Sequence, residues 1–208
     1  MRPTAQDVLV IIDVQYDFLP GGSLAVAGGD EVIAPINALA RRFDNVVQTQ
    51  DWHPAGHVSF ASTHPGAQPF EMIQLPYGAQ VLWPDHCIIG SRGAAFSEAL
   101  DVPHVQTVIR KGYRQAIDSY SGFKENDHSS LTGLAGYLRE RQLQRLFLVG
   151  LATDFCVSWT AEDAVAAGFE AIVIEDATRP INANGSLEAA HARLDKAGVG
   201  RRQISEFL

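Results

Sequence analysis

The feature that most constrains this chain is an alternation of short apolar runs with segments of helical period. The runs occupy 8–12, 45–49, 105–109, 145–149 and 171–174, with a weaker sixth at 203–207. They are rich in Val and Ile and apolar at consecutive positions, the pattern of strands buried on both faces. Between them, Val32, Ile33, Ile36, Leu39, Ala40 and Phe43 share one helical face. Leu131, Leu134, Ala135 and Leu138 share a second, Val157, Ala161, Ala164, Val165 and Gly168 a third, and Leu187, Ala190, His191 and Leu194 a fourth. Pro35 fits the first of these only if that helix has just begun. Strand alternating with helix means βαβ units, hence an α/β fold with a parallel sheet and helices on both of its faces.

One stretch, 51–102, breaks the alternation. It is rich in Gly, Pro, His and aromatic residues and has no clear period. Long irregular segments in compact domains are usually functional or disordered. Trp52, Phe60, Phe70, Tyr77, Trp83 and Phe96 argue for order. The expectation is an ordered excursion, with a short strand pair, covering one end of the sheet.

The chain has no internal repeat or linker, and 208 residues suit a single domain, 1–208. A chain of this size buries roughly 70% of its unfolded surface, so its core needs no crosslinks. Hydrophobic residues at 46% and charged residues at 19% argue against wholesale disorder. With 24 acidic against 16 basic residues, the net charge of −8 makes nucleic acid and anionic membrane poor partners. Two cysteines, Cys87 and Cys156, cannot form a disulfide framework. The first apolar run is too short for a signal-peptide core and stops at Asp13, so the expected location is the cytoplasm.

Ligands of open parallel sheets bind beyond the carboxyl ends of the strands, and unusual residues gather there. Asp13 follows the first run, Asp51 and His53 the second and Lys111 the third, while Cys156 lies a few residues past the fourth. Thr153 or Asp154 is expected to cap the next helix, placing Cys156 in its first turn. Exposed N–H groups and the helix dipole there favour a thiolate and can also stabilise an oxyanion. Asp13 can take a proton from the thiol and return it to a leaving amine, and Lys111 can fix the proton they share. Each residue alone has a plainer reading: a small buried cysteine, a turn acid, a solvated lysine. Together they suggest acyl transfer centred on Cys156.

A second signal is metal binding. Asp51 and His53, at i and i+2, point the same way from an extended strand end. His86 comes from the rigid turn Trp83-Pro84-Asp85-His86-Cys87. One Asp and two His with open positions suit a catalytic Zn²⁺, Fe²⁺ or Mn²⁺. Loop histidines are otherwise surface hydrogen-bonders, and four of the seven, His53, His57, His64 and His86, lie in the excursion. Cys87, beside His86, points away from such a site if the backbone is extended. Gly21-Gly22 and Gly28-Gly29 lack the spacing of a dinucleotide fingerprint, so no nucleotide cofactor is expected.

Over nearly its whole length the chain resembles the nicotinamidase/pyrazinamidase branch of the isochorismatase-like cysteine hydrolases. The likeness rests on six stretches in order. They are Ile12-Asp13-Val14-Gln15-Tyr16-Asp17-Phe18, Asp51-Trp52-His53-Pro54, Trp83-Pro84-Asp85-His86-Cys87, Arg110-Lys111-Gly112, Tyr120-Ser121-Gly122-Phe123 and Gly150-Leu151-Ala152-Thr153-Asp154-Phe155-Cys156-Val157.

The resemblance implies a Rossmann-like three-layer α/β/α fold with a mainly parallel six-stranded sheet. It implies hydrolysis of nicotinamide, and of pyrazinamide, to the acid and ammonia through a Cys156 thioester, as a step of NAD salvage. It implies Asp13, Lys111 and Cys156 as the triad, and the N–H groups of Ala152 and Cys156 as oxyanion hole with a cis peptide before Ala152. Asp51, His53 and His86 become metal ligands, with His57 a fourth in some members and Zn²⁺ the foremost metal. Phe18, Leu24, Trp83, Tyr120 and Phe155 become the walls around the pyridine ring. Three competing readings remain at this level: an amidohydrolase for another substrate, a catalytically silent scaffold, and a metal hydrolase with an idle Cys156. Metal identity, the preference between the two amides, and whether the chain forms a homo-oligomer are left open.

Overall fold

The structure is a computed structural model that describes residues 1–207; Leu208, the end of the expected domain, lies outside them. Its centre is a six-stranded sheet built from β1 (Asp7–Ile12), β2 (Val46–Asp51), β5 (Thr107–Lys111), β6 (Arg145–Leu151), β7 (Glu170–Arg179) and β8 (Gly200–Arg202). The spatial order is β5-β2-β1-β6-β7-β8, and every neighbouring pair is parallel. The sheet expected as mainly parallel is therefore wholly so, and its α/β character follows the alternation in the sequence.

All residues of β1 are buried and divide by parity. Leu9 and Ile11 face a core that includes Ile33, Ile36 and Leu39 of α1 (Ile33–Ala40) together with Phe43, Phe147 and Ile174. Val8, Val10 and Ile12 face a second core, formed with α2 (Leu134–Glu140), α3 (Ser158–Ala166) and α4 (Ser186–Ala197). That two-sided burial is the physical cause of the unbroken apolar runs. Pro35 is the third residue of α1, where its missing N–H has no helical acceptor to lose.

Three expectations need correction. Residues 203–207 are not a strand: α4 ends at left-handed Gly198, the chain enters β8 at once, and Ile204–Glu206 is a single 3-10 turn. There Gln203 N–H bonds Glu206 and Ile204 N–H bonds Asp176, so side chains take the donors a strand would have used. The third run is not buried on both faces, because β5 is a sheet edge and Val108 is 40% exposed. Leu131 does not share the α2 face: it is 70% exposed and pairs with Lys124 as an isolated bridge, ahead of a helix that starts only after left-handed Gly133.

The excursion 51–102 is ordered, and contains the antiparallel hairpin β3 (Met72–Leu75) and β4 (Gly78–Val81). No helix among the described residues is long and apolar enough to cross a membrane. Strand order reverses direction between β1 and β6, so a topological switch point opens where those two strands end. Asp13 follows β1, and Cys156 follows β6 by one turn.

Candidate active site

The backbone at the switch point is shaped by close approach. Gly150 has φ +108°, and a Cβ there would stand 2.1 Å from the carbonyl oxygen of Ile12. Only glycine lets β6 run this near the end of β1. The Leu151–Ala152 peptide that follows is cis, as the resemblance implied. The next turn, Thr153–Val157, is a π turn whose Phe155 and Val157 N–H groups both donate to Ala152 O. Ala152, just before that turn, and Cys156, within it, both line one cleft.

The expected cap is absent. Neither Thr153 nor Asp154 caps this turn; the Asp154 carboxylate instead accepts from the N–H groups of Ile181 and Asn182 and from Ser186 Oγ, clamping the segment before α4. The expected thiolate is also not favoured. Burial pushes the Cys156 thiol well above its ordinary pKa, and Lys111 opposes this without cancelling it. The negative charge of nearby Asp13 adds to the upward shift. The resting group is a thiol with an acceptor beside it.

Lys111, the last residue of β5, is fully buried. Its Nζ donates to Asp51 Oδ1 at 2.9 Å, Ser119 O at 3.0 Å and Cys156 Sγ at 3.3 Å. Those three acceptors use all three ammonium protons. Asp13 Oδ2 also lies 2.9 Å from Nζ but receives no directed hydrogen bond. It therefore feels the charge while keeping its lone pairs for another proton. Asp13 Oδ1 accepts from Thr49 Oγ1 at 2.6 Å, which fixes the carboxylate plane. Burial raises the Asp13 pKa, Lys111 pulls it back, and the net direction is upward. Burial alone would lower the Lys111 pKa, but Asp13 and Asp51 hold it well above its ordinary value.

Asp51 connects this group to the histidines. Its Oδ2 lies 3.0 Å from His53 Nε2 and 3.2 Å from His86 Nε2, and all three residues are buried. Burial acts to raise the Asp51 pKa, yet His53 and Lys111 hold it well below the ordinary carboxylate range. His53 Nδ1 lies 2.9 Å from Gly112 O, and His86 Nδ1 lies 2.8 Å from Pro84 O. A Cβ on Gly112 would fall 2.5 Å from the His53 ring, so this glycine is what lets the carbonyl reach it. A carbonyl only accepts, so both Nδ1 atoms carry the proton, and in the neutral rings both Nε2 atoms are lone pairs. Against the effect of burial, Asp51 raises the His53 pKa, so either a second proton on that ring or a bound cation fills the space between the nitrogens and the carboxylate. The three ligating atoms lie within 4.8 Å of one another, and second-sphere carbonyls already fix both tautomers, so the donor set fits a divalent metal ion.

His57 stands outside this trio. Its ring lies 4.3 Å from that of His53 by centroid, Nδ1 bonds Ser59 Oγ, and Nε2 lies 2.9 Å from Arg114 O and 3.2 Å from Ile117 O. Both nitrogens are thus engaged by protein. Cys87 has a left-handed backbone (φ 48°) rather than an extended one, and its side chain is packed in the core.

Above the trio and the thiol lies a narrow cleft, open to solvent at its mouth. Phe18, Leu24, Trp83, Tyr120 and Phe155 all line it, together with Asp51, His86, Ala152 and Cys156. Trp83 meets Phe155 edge-on at 4.9 Å, and Tyr120 meets Phe155 at 5.5 Å, forming an aromatic box for one small ring. Two lining residues escaped the sequence analysis, Asp118 and Ile181. Asp118 could have been found from its place two residues before Tyr120; Ile181 carries no local signal.

A thiol, an acceptor carboxylate and an ammonium at the switch point of a parallel sheet, beside a three-ligand trio, define an α/β protein equipped for acyl transfer. Residues 7–201 match the isochorismatase domain, and the chain belongs to the isochorismatase family. It is 53% identical to a nicotinamidase of Acinetobacter baylyi over 100% of this chain and 97% of that one. A solved nicotinamidase/pyrazinamidase structure from Acinetobacter baumanii superposes with a TM-score of 0.98 at 54% identity, covering 100% of both chains. The pyrazinamidase of Pyrococcus horikoshii in complex with zinc superposes at 0.78 with 33% identity, over 95% of this chain and 99% of that one.

Proposed function

We propose that this protein is a metal-dependent amidohydrolase that converts nicotinamide to nicotinate and ammonia, and pyrazinamide to pyrazinoate, within NAD salvage. The observation that carries the reading is the convergence of Lys111 on Asp13, Asp51 and Cys156, beside a cleft lined by Phe18, Trp83, Tyr120 and Phe155. Full-length identity to nicotinamidases supports the substrate. The single domain expected for 1–208 and a cytoplasmic location belong to the same proposal.

The aromatic box orients the pyridine ring with its amide over Cys156. Asp13 accepts the thiol proton at its free Oδ2, and the Cys156 thiolate attacks the amide carbon. Lys111, held beside sulfur and carboxylate, keeps the anionic pair favourable during that transfer. The N–H groups of Ala152 and Cys156 receive the oxyanion. Asp13 returns its proton to the departing ammonia, leaving a thioester at Cys156. Water then adds to the thioester, and nicotinate leaves as the thiol is restored.

Asp51, His53 and His86 would hold the metal ion, with His57 outside the set and Zn²⁺ favoured by the two-imidazole, one-carboxylate donors. When bound, the ion supplies a Lewis acid for the ring nitrogen, directly or through water, and so fixes the orientation of the amide.

The test is ammonia release from nicotinamide by metal-replete protein, with Cys156→Ala as control. Turnover should vanish in the variant while folding and metal content persist. Equal activity in the two proteins would refute the covalent route.

A further inference from the structure

Beyond the trio and the triad, one buried acid in the cleft has no part in the chemistry above. Asp118 is 2% exposed and lies in the segment after β5. Its Oδ2 accepts from Gln80 Nε2 at 2.7 Å, and its Oδ1 accepts from the N–H of Ser119 at 2.8 Å. The same Oδ1 stands 3.9 Å from His53 Nε2, beyond hydrogen-bond reach of the trio yet facing it. Asp118 also lines the cleft beside Asp51 and His86.

Its support comes from a different element. Gln80, on β4 of the excursion hairpin, is 1% exposed. Its Oε1 accepts from Tyr77 Oη and from Asn126 Nδ2, each at 3.1 Å, and this fixes the amide so that Nε2 faces Asp118. Nε2 also lies 3.0 Å from Tyr120 Oη. A buried amide so fully engaged holds the Asp118 carboxylate in one orientation.

Charge supplies the second argument. Three buried acids, Asp13, Asp51 and Asp118, share this region with the buried amine of Lys111. Carboxylates in excess of buried cations are costly unless compensated, and a divalent ion at the trio would add to that compensation.

We propose that Asp118 is a positioning residue for the metal centre. It acts from outside the Asp51–His53–His86 set, accepts a hydrogen bond from a water that completes the ion's coordination, and is held to that task by Gln80. The inference rests on the metal reading given under the proposed function.

The experiment measures Zn²⁺ affinity by chelator competition, and the d–d spectrum of Co²⁺-loaded protein, for the wild type and for Asp118→Asn, Gln80→Leu and His86→Ala. Removal of an outer-sphere partner should weaken affinity about 10–100-fold. Asp118→Asn is therefore expected to bind about 10–100-fold more weakly, with the Co²⁺ coordination number unchanged and the metal-free Tm not lowered. Gln80→Leu, which keeps the charge but frees the carboxylate, should fall between that variant and the wild type. His86→Ala should bind most weakly and alter the Co²⁺ spectrum. Wild-type affinity in both Asp118→Asn and Gln80→Leu would overturn the proposal while leaving the metal reading intact. A lost Co²⁺ ligand in Asp118→Asn would overturn it too, since Asp118 would then be a direct ligand. Failure of the wild type to bind either ion would refute the metal reading itself.

Discussion

Lys111 Nζ and Asp51 Oδ1 lie 2.9 Å apart, both buried, and this one contact joins the thiol centre to the histidine trio. Asp51 presents its other oxygen to His53 and His86, so one carboxylate serves two neighbouring sites. Lys111 in turn faces both Asp13 and Asp51, and its removal would take the ammonium from two buried carboxylates.

Lys111→Met should therefore destabilise the metal-free protein by about 3–5 kcal/mol, the usual result of stripping the partner from a buried charge. A divalent ion should restore more stability to the variant than to the wild type, because the ion then compensates Asp51 alone. Urea unfolding of both proteins with and without Zn²⁺ checks this. An equal metal-induced gain in the two would contradict the coupling.

Asp13→Asn keeps the shape and the Thr49 hydrogen bond but cannot accept a proton. Its kcat should fall by at least about 10²-fold, and a loss confined to KM would indicate a binding role instead. The wild-type rate should also fall on acidification. The Asp13 pKa lies above its ordinary value, chiefly through burial, and the base form is the active one. The acidic limb of a kcat/KM profile, which reports the free enzyme, should thus appear at higher pH than an ordinary carboxylate gives, above roughly 4.

Benzamide matches nicotinamide in shape and lacks only the ring nitrogen. With metal bound it should be the poorer substrate by on the order of 10²-fold or more in kcat/KM, whereas pyrazinamide should still turn over. Metal removal, or His53→Ala, should shrink the gap between nicotinamide and benzamide. Equal turnover of the two by metal-replete protein would remove the orienting role.

Far from the cleft, Arg145 grips Asp7 through two hydrogen bonds of 2.8 and 2.7 Å, tying the start of β6 to the start of β1. Asp7→Asn should cost about 1.5–3 kcal/mol near neutral pH. Burial tends to raise the Asp7 pKa, but Arg145 and the Thr4 N–H carry it below 3.8. A carboxyl with a depressed folded-state pKa contributes stability above the unfolded value and loses it as pH falls through the folded one. The difference between wild type and variant in urea should hence be full above about pH 5 and vanish in strong acid. A constant difference across that range would contradict the assignment.

The sequence alone determined the layered fold, because strands buried on both faces must be apolar throughout and their helices must carry a 3.6-residue stripe. It also placed Asp13, Asp51, Lys111 and Cys156 at strand ends, since those positions follow directly from where the apolar runs stop. Tertiary structure decided what those groups do to one another. That Cys156 rests as a thiol depends on burial summed over several elements, which no local dipole argument contains. That Asp154 clamps 181–186 instead of capping its own turn depends on where the segment after β7 returns. Leu131 matched a helical stripe yet lies in solvent, because a stripe gives the period of a segment and not the residue at which the helix begins. Asp118 and Ile181 entered the cleft only through the folding of distant loops. Hydrophobic pattern is written along the chain, whereas electrostatic environment and hydrogen-bond partnership are properties of neighbours in space.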